Sequence, residues 1–308
     1  MIQSDYNKRL KRFAVMASVC LAILLAVFKF FAFLRTDSLA IFSSFVDSLT
    51  DLFASVISFI AIYFSTKPAT SNHRYGYGKT EALSALLQAM FVGSSGFFVI
   101  YDSIQRLINP VLITNIPMGI GVMLLSVFAT FLLVLFQTFV AKKTNSLAIK
   151  ADRAHYTVDF LTNATVIISL IFVHFLGFVY FDIIAALFIS VYLLFNAYSL
   201  AKEAVELITD KELPNDVRQN VEDIVKKSKG VLGLHDFRTR NLGDIYYFEL
   251  HLEIDGKISL LQAHNIASAV EQKILKLYPN SQILIHQDPF GIHEDRLDHE
   301  IEGFCDIK

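Results

Sequence analysis

Two pairs of ionisable residues lie in separate segments that are apolar enough to cross a lipid bilayer. Asp47 and Asp51 form one pair, and His155 and Asp159 form the other. Each pair has a spacing of four residues, so both members lie on one face of a helix. A charged side chain near the bilayer centre costs about 3 kcal/mol on insertion scales, so such groups persist where something satisfies them. Three carboxylates and one imidazole are a ligand set that suits a divalent cation.

We call these four residues the membrane quartet, and two interpretations of it are open. The carboxylates could pair with a neighbouring helix for structural reasons, or lie near the membrane edge. Two carboxylates on one face, with a second pair of identical spacing on another span, favour a shared metal site. Asp47 and His155 each lie about nine residues into their spans, and the two spans enter from opposite sides. The two pairs can therefore meet at a similar depth.

Five further ligand-bearing residues indicate a second metal site in the C-terminal third of the chain. Two histidines lie on adjacent predicted strands, one on a predicted helix, and a His-x-Asp pair on the last predicted strand. Residues two apart share one face of a strand, so this last pair can converge on one ion. A lone histidine in such a domain is usually a surface or core residue, whereas five converging ligands favour metal binding. We call these residues the cytoplasmic ligand set: His235, His251, His264, His286 and Asp288.

The composition predicts a membrane domain followed by a soluble domain. The 308 residues are 54 % hydrophobic with a mean hydropathy of +0.49, which is too apolar for an ordinary soluble protein. Phenylalanine and aliphatic residues are concentrated before about residue 200, and most of the charge follows. Six segments are near or above the roughly 20 residues that cross a bilayer. The predicted spans are 13–34, 38–65, 81–107, 116–141, 146–173 and 178–201.

Loops rich in lysine and arginine alternate with loops poor in them, which predicts the orientation of the chain in the membrane. The N-terminal segment, the 2–3 loop and the 4–5 loop are rich in these residues, and the alternate loops are poor. The positive-inside rule then places both termini in the cytoplasm. The basic residues on the predicted cytoplasmic side are Lys8, Arg9, Lys11, Arg12, Lys67, Arg74, Lys79, Lys142, Lys143, Lys150 and Arg153.

The pattern after about residue 202 predicts a small α/β domain with the element order αββαβ. One predicted strand alternates cleanly between apolar and polar residues, and an amphipathic helix can cover one face of the sheet. The predicted elements are a helix over 214–228, strands over 232–241 and 244–255, a helix over 259–279 and a strand over 281–289. The predicted domains are a six-helix membrane domain over 1–204, a cytoplasmic αββαβ domain over 205–292 and a polar tail over 293–308.

These features together resemble the cation diffusion facilitator family, and most closely its bacterial ferrous-iron and zinc efflux subgroup. The resemblance covers six spans, the membrane quartet, the NHRYGYGKTEAL loop and a histidine-bearing αββαβ domain. It implies a ferredoxin-like, metallochaperone-like fold for the cytoplasmic domain. It also implies a homodimeric metal–proton antiporter of the bacterial inner membrane, not an enzyme, that exports divalent cations from the cytoplasm. Nucleic acid is not an expected partner.

The resemblance also implies roles for particular residues. It assigns transport to the membrane quartet and a regulatory two-metal site to the cytoplasmic ligand set. It pairs Lys79 with Asp210 in a salt bridge at the hinge of the dimer. One departure concerns the 2–3 loop, where the subgroup has one Asp and two His as ligands. This chain has Thr70, His73 and Tyr77 at those positions, so we expect the loop site to be absent or very weak.

The mechanism that follows is a competition between metal and protons for one site. Metal binding requires a neutral imidazole and ionised carboxylates, so protons arriving from outside can displace the ion. Two alternatives are a membrane scaffold that senses metal without moving it, and a proton or cation channel. The transported ion also stays open, because an Asp rather than a His at position 47 relaxes a preference for Zn²⁺. Fe²⁺, Cd²⁺ and Mn²⁺ are the other candidates.

Overall fold

A computed structural model describes residues 2–36, 39–108, 120–176, 181–292 and 296–300. The chain divides into two compact units, Met1–Val205 and Glu206–Lys308, which are described separately below.

Six long helices make up the first unit, which confirms the predicted number of helices. They are α1 (Ile2–Thr36), α2 (Leu39–Ser65), α3 (Thr80–Ile108), α4 (Ile120–Thr144), α5 (Leu147–Leu176) and α6 (Phe181–Ile208). Helix α1 begins well before the predicted span because its basic N-terminal residues continue the helix beyond the apolar stretch. Helix α6 extends seven residues past its predicted end at position 201, because its charged residues Lys202, Glu203 and Glu206 continue the helix beyond the apolar stretch. The predicted span starts at 38, 116 and 178 fall outside the described residues.

Five of these helices are long and apolar enough to cross a membrane, within the part of the chain that the structure describes. The sixth, α5, carries charged residues and His155 in its N-terminal half. Many large apolar side chains of the unit point outward, including Phe98 at 69 % and Phe188 at 75 % exposure. A continuous apolar exterior of this kind is typical of a surface that contacts lipid.

The helices of the first unit pack through small side chains. One buried cluster joins α1, α2, α4 and α5, and its members include Ala14, Ala141 and Ala148. A second cluster joins α3, α5 and α6 around Val158 and Leu193. Small residues let helix backbones approach closely, which is how helices associate within a membrane.

A buried ion pair ties the ends of several helices together. Glu81 accepts hydrogen bonds at Oε1 from Lys11 Nζ (3.0 Å) and Ser65 Oγ (3.0 Å), and at Oε2 from Ser146 Oγ (2.5 Å). Lys11 is 1 % exposed and Glu81 is 5 % exposed. Glu81 therefore connects α1, α2 and α3 with the residue that precedes α5.

The second unit has the predicted order αββαβ. Its elements are α7 (Asn215–Lys226), β1 (Val231–Asn241), β2 (Tyr246–Ile254), α8 (Leu260–Leu277) and β3 (Ser281–Pro289), followed by a 3-10 helix (Leu297–Glu300). The sheet order is β1-β2-β3, with β1 antiparallel and β3 parallel to β2. The parallel pair needs a crossover connection, which α8 supplies.

Alternation along β2 divides the sheet into two chemically different faces. Phe248, Leu250 and Leu252 are fully buried against residues of α7 and α8. The intervening residues, among them His251 and Glu253, lie on the opposite face. The helices cover one face of the sheet, and the candidate ligands carried by the strands lie on the other.

A bulge interrupts β1 directly after His235. The register with β2 shifts between His235 and Arg238, and Asp236 has a positive φ of 49°. Aspartate is one of the few residues other than glycine that adopts this left-handed conformation readily. The bulge sets the direction of β1 at the point where a candidate ligand projects.

Candidate metal centres

Three members of the membrane quartet converge in the structure. His155 Nε2 lies 3.2 Å from Asp51 Oδ1 and 3.9 Å from Asp159 Oδ2. One ligand atom from each of these three residues lies within 4.8 Å of the others. Two carboxylates and an imidazole at this separation can bind one divalent cation, and water or a further residue can complete the coordination.

Helix packing explains why these three residues meet. Helices α2 and α5 pack against each other, so Asp51 on one faces His155 on the other. Asp159 follows one helical turn after His155 and shares its face. His155 is 8 % exposed. The cluster is therefore a polar site inside a helix bundle, where charged groups are costly unless they pair or bind an ion.

Asp47 is not part of this cluster in the structure. It lies one turn before Asp51 on α2, but its side chain is exposed. Among the described residues, the groups that could hold a metal include Asp51, His155 and Asp159 without it. The structure thus brings together three of the four predicted ligands, and the role of Asp47 stays a prediction.

A lysine next to the membrane quartet was missed by the sequence reasoning. Lys29 on α1 is 8 % exposed and donates from Nζ to Oγ of the buried Ser48 at 2.7 Å. It lies within electrostatic range of Asp47, Asp51 and Asp159. Because a lysine in an apolar span is rare, its presence in the first predicted span could have indicated Lys29 from the sequence.

A buried polar network extends from the cluster toward α1 and α4. Asp152, which is fully buried one turn before His155, accepts at Oδ2 from Ser18 Oγ (2.7 Å) and Gln137 Nε2 (2.6 Å). The hydroxyl of Tyr156 lies 2.7 Å from Ser55 Oγ on α2. These contacts fix the rotation of α5, and with it the direction in which His155 projects.

Asp288 is the centre of the second candidate metal site, in the second unit. Its Oδ2 lies 2.9 Å from His251 Nδ1 and 3.5 Å from His235 Nε2. Its Oδ1 lies 3.1 Å from His286 Nε2. One carboxylate therefore faces three imidazoles, an arrangement in which it can bridge two metal ions.

Strand register places the three histidines of this site in one row. His235 is opposite His251 across β1 and β2, and His251 is opposite His286 across β2 and β3. Two groups of potential ligands result, one formed by His235, Asp236 and His251 and the other by His251, His286 and Asp288. Because they share His251, the two groups can hold neighbouring ions.

The fifth predicted ligand lies apart from this row. His264 is exposed on α8, and it belongs to neither group of potential ligands among the described residues. Conversely, Asp236 and Glu253 lie beside His235 and were not predicted. Glu253 Oε1 is 3.6 Å from His235 Nδ1. Their positions in the sequence could have indicated them, because Asp236 directly follows His235 and Glu253 lies two residues after His251.

The loop between α2 and α3 is held by its own hydrogen bonds. Thr70 and His73 form a β-bridge, and the Thr70 hydroxyl lies 3.2 Å from the Tyr77 hydroxyl. The His73 ring packs on the Tyr77 ring, with 4.5 Å between centroids. The groups that replace the expected ligands thus contact one another.

The predicted salt bridge joins residues of different units, so it stays a prediction. Lys79 belongs to the first unit and Asp210 to the second. Within the second unit, Asp210 Oδ2 lies 3.9 Å from Arg240 Nη1.

Comparisons with known proteins match both units. Residues 15–209 match the family model of the cation efflux transmembrane domain, and residues 213–290 match that of the cytoplasmic domain of cation efflux proteins (ZT_dimer). The cation-efflux pump FieF of Yersinia pestis (strain Pestoides F) is 39 % identical over 279 residues, covering 91 % of this chain and 93 % of the relative. The FieF pump of Serratia proteamaculans (strain 568) is 38 % identical over 284 residues, covering 92 % and 94 %.

Two solved domain structures each match about a quarter of this chain. The metal-bound C-terminal domain of the CzcD transporter from Thermotoga maritima is 28 % identical, with a TM-score of 0.25, and the match covers 26 % of this chain and 93 % of that one. The cytosolic domain of a cation diffusion facilitator family protein is 27 % identical, with a TM-score of 0.24, over 25 % and 93 %. From the family models and the FieF relatives together, the chain is a multi-pass membrane transporter, not an enzyme, and it belongs to the cation efflux family, the cation diffusion facilitators.

Proposed function

We propose that this chain exports divalent metal cations from the cytoplasm in exchange for protons, across the inner membrane of a bacterium and with both termini in the cytoplasm. The cluster of Asp51, His155 and Asp159 carries the proposal, because its ligand atoms lie within 4.8 Å of one another inside a bundle of apolar helices. Membership of the cation efflux family supports the transport of metal cations. Proton exchange is our inference from the chemistry of the ligands.

The proposed exchange of metal for protons follows because both compete for the same lone pairs of the ligand atoms. A neutral imidazole and two carboxylates bind a cation, and each of them loses that capacity when it takes up a proton. In an inward-facing state the site captures metal, and in an outward-facing state protons displace it. The ion and the protons need only bind the two states with different affinities, and no covalent step is required.

We propose Zn²⁺ and Fe²⁺ as the main cargo, with Cd²⁺ and Mn²⁺ as further candidates. Carboxylate oxygens with one imidazole nitrogen form a mixed donor set that these ions accept. The name of the FieF relatives, cation-efflux pumps, indicates cation transport by those proteins. Parallel transport assays with the four ions would rank them.

We further propose that the protein acts as a homodimer whose cytoplasmic units respond to metal. A match to the ZT_dimer family supports dimerisation. In the proposed dimer, His264 completes the cytoplasmic site, and Lys79 pairs with Asp210 at the hinge. Metal bound around Asp288 would then bias the equilibrium between the two transport states.

Transport by the purified protein in liposomes tests the proposed exchange. With an acidic lumen and a Zn²⁺ indicator inside, we expect Zn²⁺ uptake that stops when the pH gradient is collapsed. Asp51→Asn should abolish uptake, whereas Asp216→Asn, the same chemical change at an exposed position on α7, should not.

Two other outcomes would contradict the proposal. Zn²⁺ binding without any flux would indicate a sensing scaffold. Flux that is much faster than a carrier allows, and that ignores the pH gradient, would indicate a channel.

A further inference from the structure

Residues 296–300, which follow β3 in the sequence, contact the sheet beside the cytoplasmic ligand set. The Asp298 amide donates to Asp236 Oδ1 at 2.8 Å, and the Asp236 amide donates to Asp298 Oδ2 at 2.6 Å. Both aspartates are at most 5 % exposed. Each buried carboxylate is thus satisfied by the backbone of the other residue. We call residues 296–300, which make these contacts, the C-terminal clasp.

A second contact of the clasp reaches the sheet two residues from His251. Arg296 Nη2 donates to Glu253 Oε1 in a close, partly buried ion pair. The same Glu253 oxygen lies 3.6 Å from His235 Nδ1. Glu253 therefore lies between the guanidinium of the clasp and a candidate metal ligand.

The sheet leaves space for Glu253 in this position. A Cβ atom added at Gly233 on β1 would overlap the Glu253 carboxylate and approach its Cβ to 3.2 Å. Gly233 faces Glu253 across the β1–β2 ladder. A larger residue at position 233 would push the carboxylate away from its two partners.

The His235 ring lies between the candidate metal site and Glu253, so the position of Glu253 bears on metal binding. Its Nε2 faces Asp288 at 3.5 Å, whereas its Nδ1 faces Glu253. A metal-binding histidine usually donates its second ring N–H to a carboxylate or carbonyl, which fixes the tautomer and the ring direction. Glu253 is the carboxylate that faces Nδ1. Its Oε1 lies slightly beyond hydrogen-bond length at 3.6 Å, so a small approach of the ring would make it that acceptor. Arg296 fixes the Glu253 carboxylate.

We propose that the C-terminal clasp positions His235 for metal binding, acting through Glu253 on its ring and through Asp236 on its backbone. Docking of the clasp then strengthens metal binding at the cytoplasmic site. Because coupling between two binding events is reciprocal, metal also strengthens docking of the clasp. This inference rests on the proposed metal-binding role of the cytoplasmic ligand set.

Zn²⁺ affinity of the full-length protein in detergent tests the proposal. An Asp51→Asn background strongly weakens the transport site, so the tight Zn²⁺ binding that remains, measured against a competing chelator, reports the cytoplasmic site. We expect Arg296→Ala and Gly233→Ala each to raise the Kd by about 10- to 100-fold, the usual effect of losing an outer partner of a metal ligand. Arg296→Lys should recover part of the affinity.

A matched control separates this effect from general damage. Lys227→Ala breaks the exposed Lys227–Asp223 pair on α7 of the same unit and should leave the Kd unchanged. An unchanged Kd in Arg296→Ala would overturn the role of the clasp while leaving the metal site intact. Absence of any Zn²⁺ binding in the Asp51→Asn background would instead contradict the cytoplasmic site itself.

Amide hydrogen exchange gives a second readout that needs no substitution in the clasp or at Gly233. Zn²⁺ should slow exchange at the amides of Asp236 and Asp298, because both donate hydrogen bonds only while the clasp is docked. The slowing should disappear in His251→Ala, which lacks the shared ligand. Equal exchange with and without Zn²⁺ would contradict the coupling.

Discussion

Lys29 donates a hydrogen bond to Ser48 at 2.7 Å, which places a buried ammonium group beside the acidic residues of the membrane quartet. Buried charges are retained where they pair with opposite charge. In the metal-free site, Lys29 offsets part of the negative charge of Asp47, Asp51 and Asp159. When a cation enters, the same ammonium group repels it.

Replacing Lys29 by Met should therefore tighten metal binding at the membrane quartet. Removing a nearby positive charge should lower the Zn²⁺ Kd by roughly fivefold or more, since such interactions are worth about 1 kcal/mol or more near a partly buried site. Equilibrium binding to the full-length protein measures this. Lys29→Arg keeps the charge and should keep the wild-type Kd. A weaker affinity in Lys29→Met would show that the lysine serves mainly to hold the helices in place.

Asp51 and Asp47 should differ in their importance for metal binding. Asp51 contacts His155 at 3.2 Å, whereas Asp47 is exposed and lies outside the cluster. Asp51→Asn should raise the Zn²⁺ Kd by about 100-fold, in line with the roughly 3 kcal/mol cost of breaking a buried charged contact. Asp47→Asn should raise it by about tenfold or less. Equal losses in the two variants would place Asp47 among the ligands in the metal-bound state.

Metal affinity of the membrane quartet should fall as the pH falls. The ligands bind metal in their deprotonated forms, so protons compete with the ion and binding releases protons. The logarithm of the Zn²⁺ Kd should rise as the pH is lowered from neutral, with a slope equal to the number of protons displaced. Calorimetry in buffers of different ionisation enthalpy counts those protons. An affinity that does not change with pH would exclude exchange at this site.

The ion pair between Lys11 and Glu81 should be important for stability. Glu81→Gln removes the carboxylate with which Lys11, at 1 % exposure, forms a buried ion pair, and such a loss typically costs about 3–5 kcal/mol. Thermal unfolding in detergent should show a clearly lowered midpoint. Glu203→Gln, which breaks the exposed pair with Lys150, should change stability by about 1 kcal/mol or less. Similar midpoints for both variants would indicate that water reaches the Lys11 ammonium.

His251 should be required for both ions of the cytoplasmic site, and His286 for one. His251 belongs to both groups of potential ligands, whereas His286 belongs to one. In the Asp51→Asn background, His251→Ala should remove all tight Zn²⁺ binding, and His286→Ala should leave one ion. Zinc content after size-exclusion chromatography measures this. His73→Ala should leave the count unchanged, and a lowered count would indicate a working loop site.

The cytoplasmic fold was predictable because its signals are local. Alternation along β2 and the amphipathic pattern of α8 specify the buried face of each element, and each predicted boundary lies within two residues of the observed one. The ends of the membrane helices were less predictable. Charged residues can continue a helix beyond the bilayer, so hydropathy alone did not locate the start of α1 at Ile2.

The candidate-site residues were predictable where the sequence marked them, by a recognisable spacing or as histidines on neighbouring predicted strands. The four-residue pairs led to Asp51, His155 and Asp159, but spacing does not fix the rotation of a helix, so Asp47 could not be separated from them. Contacts between distant segments have no such signature. Glu253 looked like a solvent-facing residue of an alternating strand, and the residues of the C-terminal clasp looked like part of a polar tail.

In the proposed cytoplasmic metal site, the row of histidines across β1, β2 and β3 would make metal loading a measure of correct folding. His235, His251 and His286 are adjacent only in the observed strand register. A slip of one residue between two strands would send one of the imidazoles to the helix-covered face. A chain whose strands have paired in the wrong register would therefore fail to bind metal at this site. Zinc retained after purification would report the fraction of molecules whose sheet is correctly assembled.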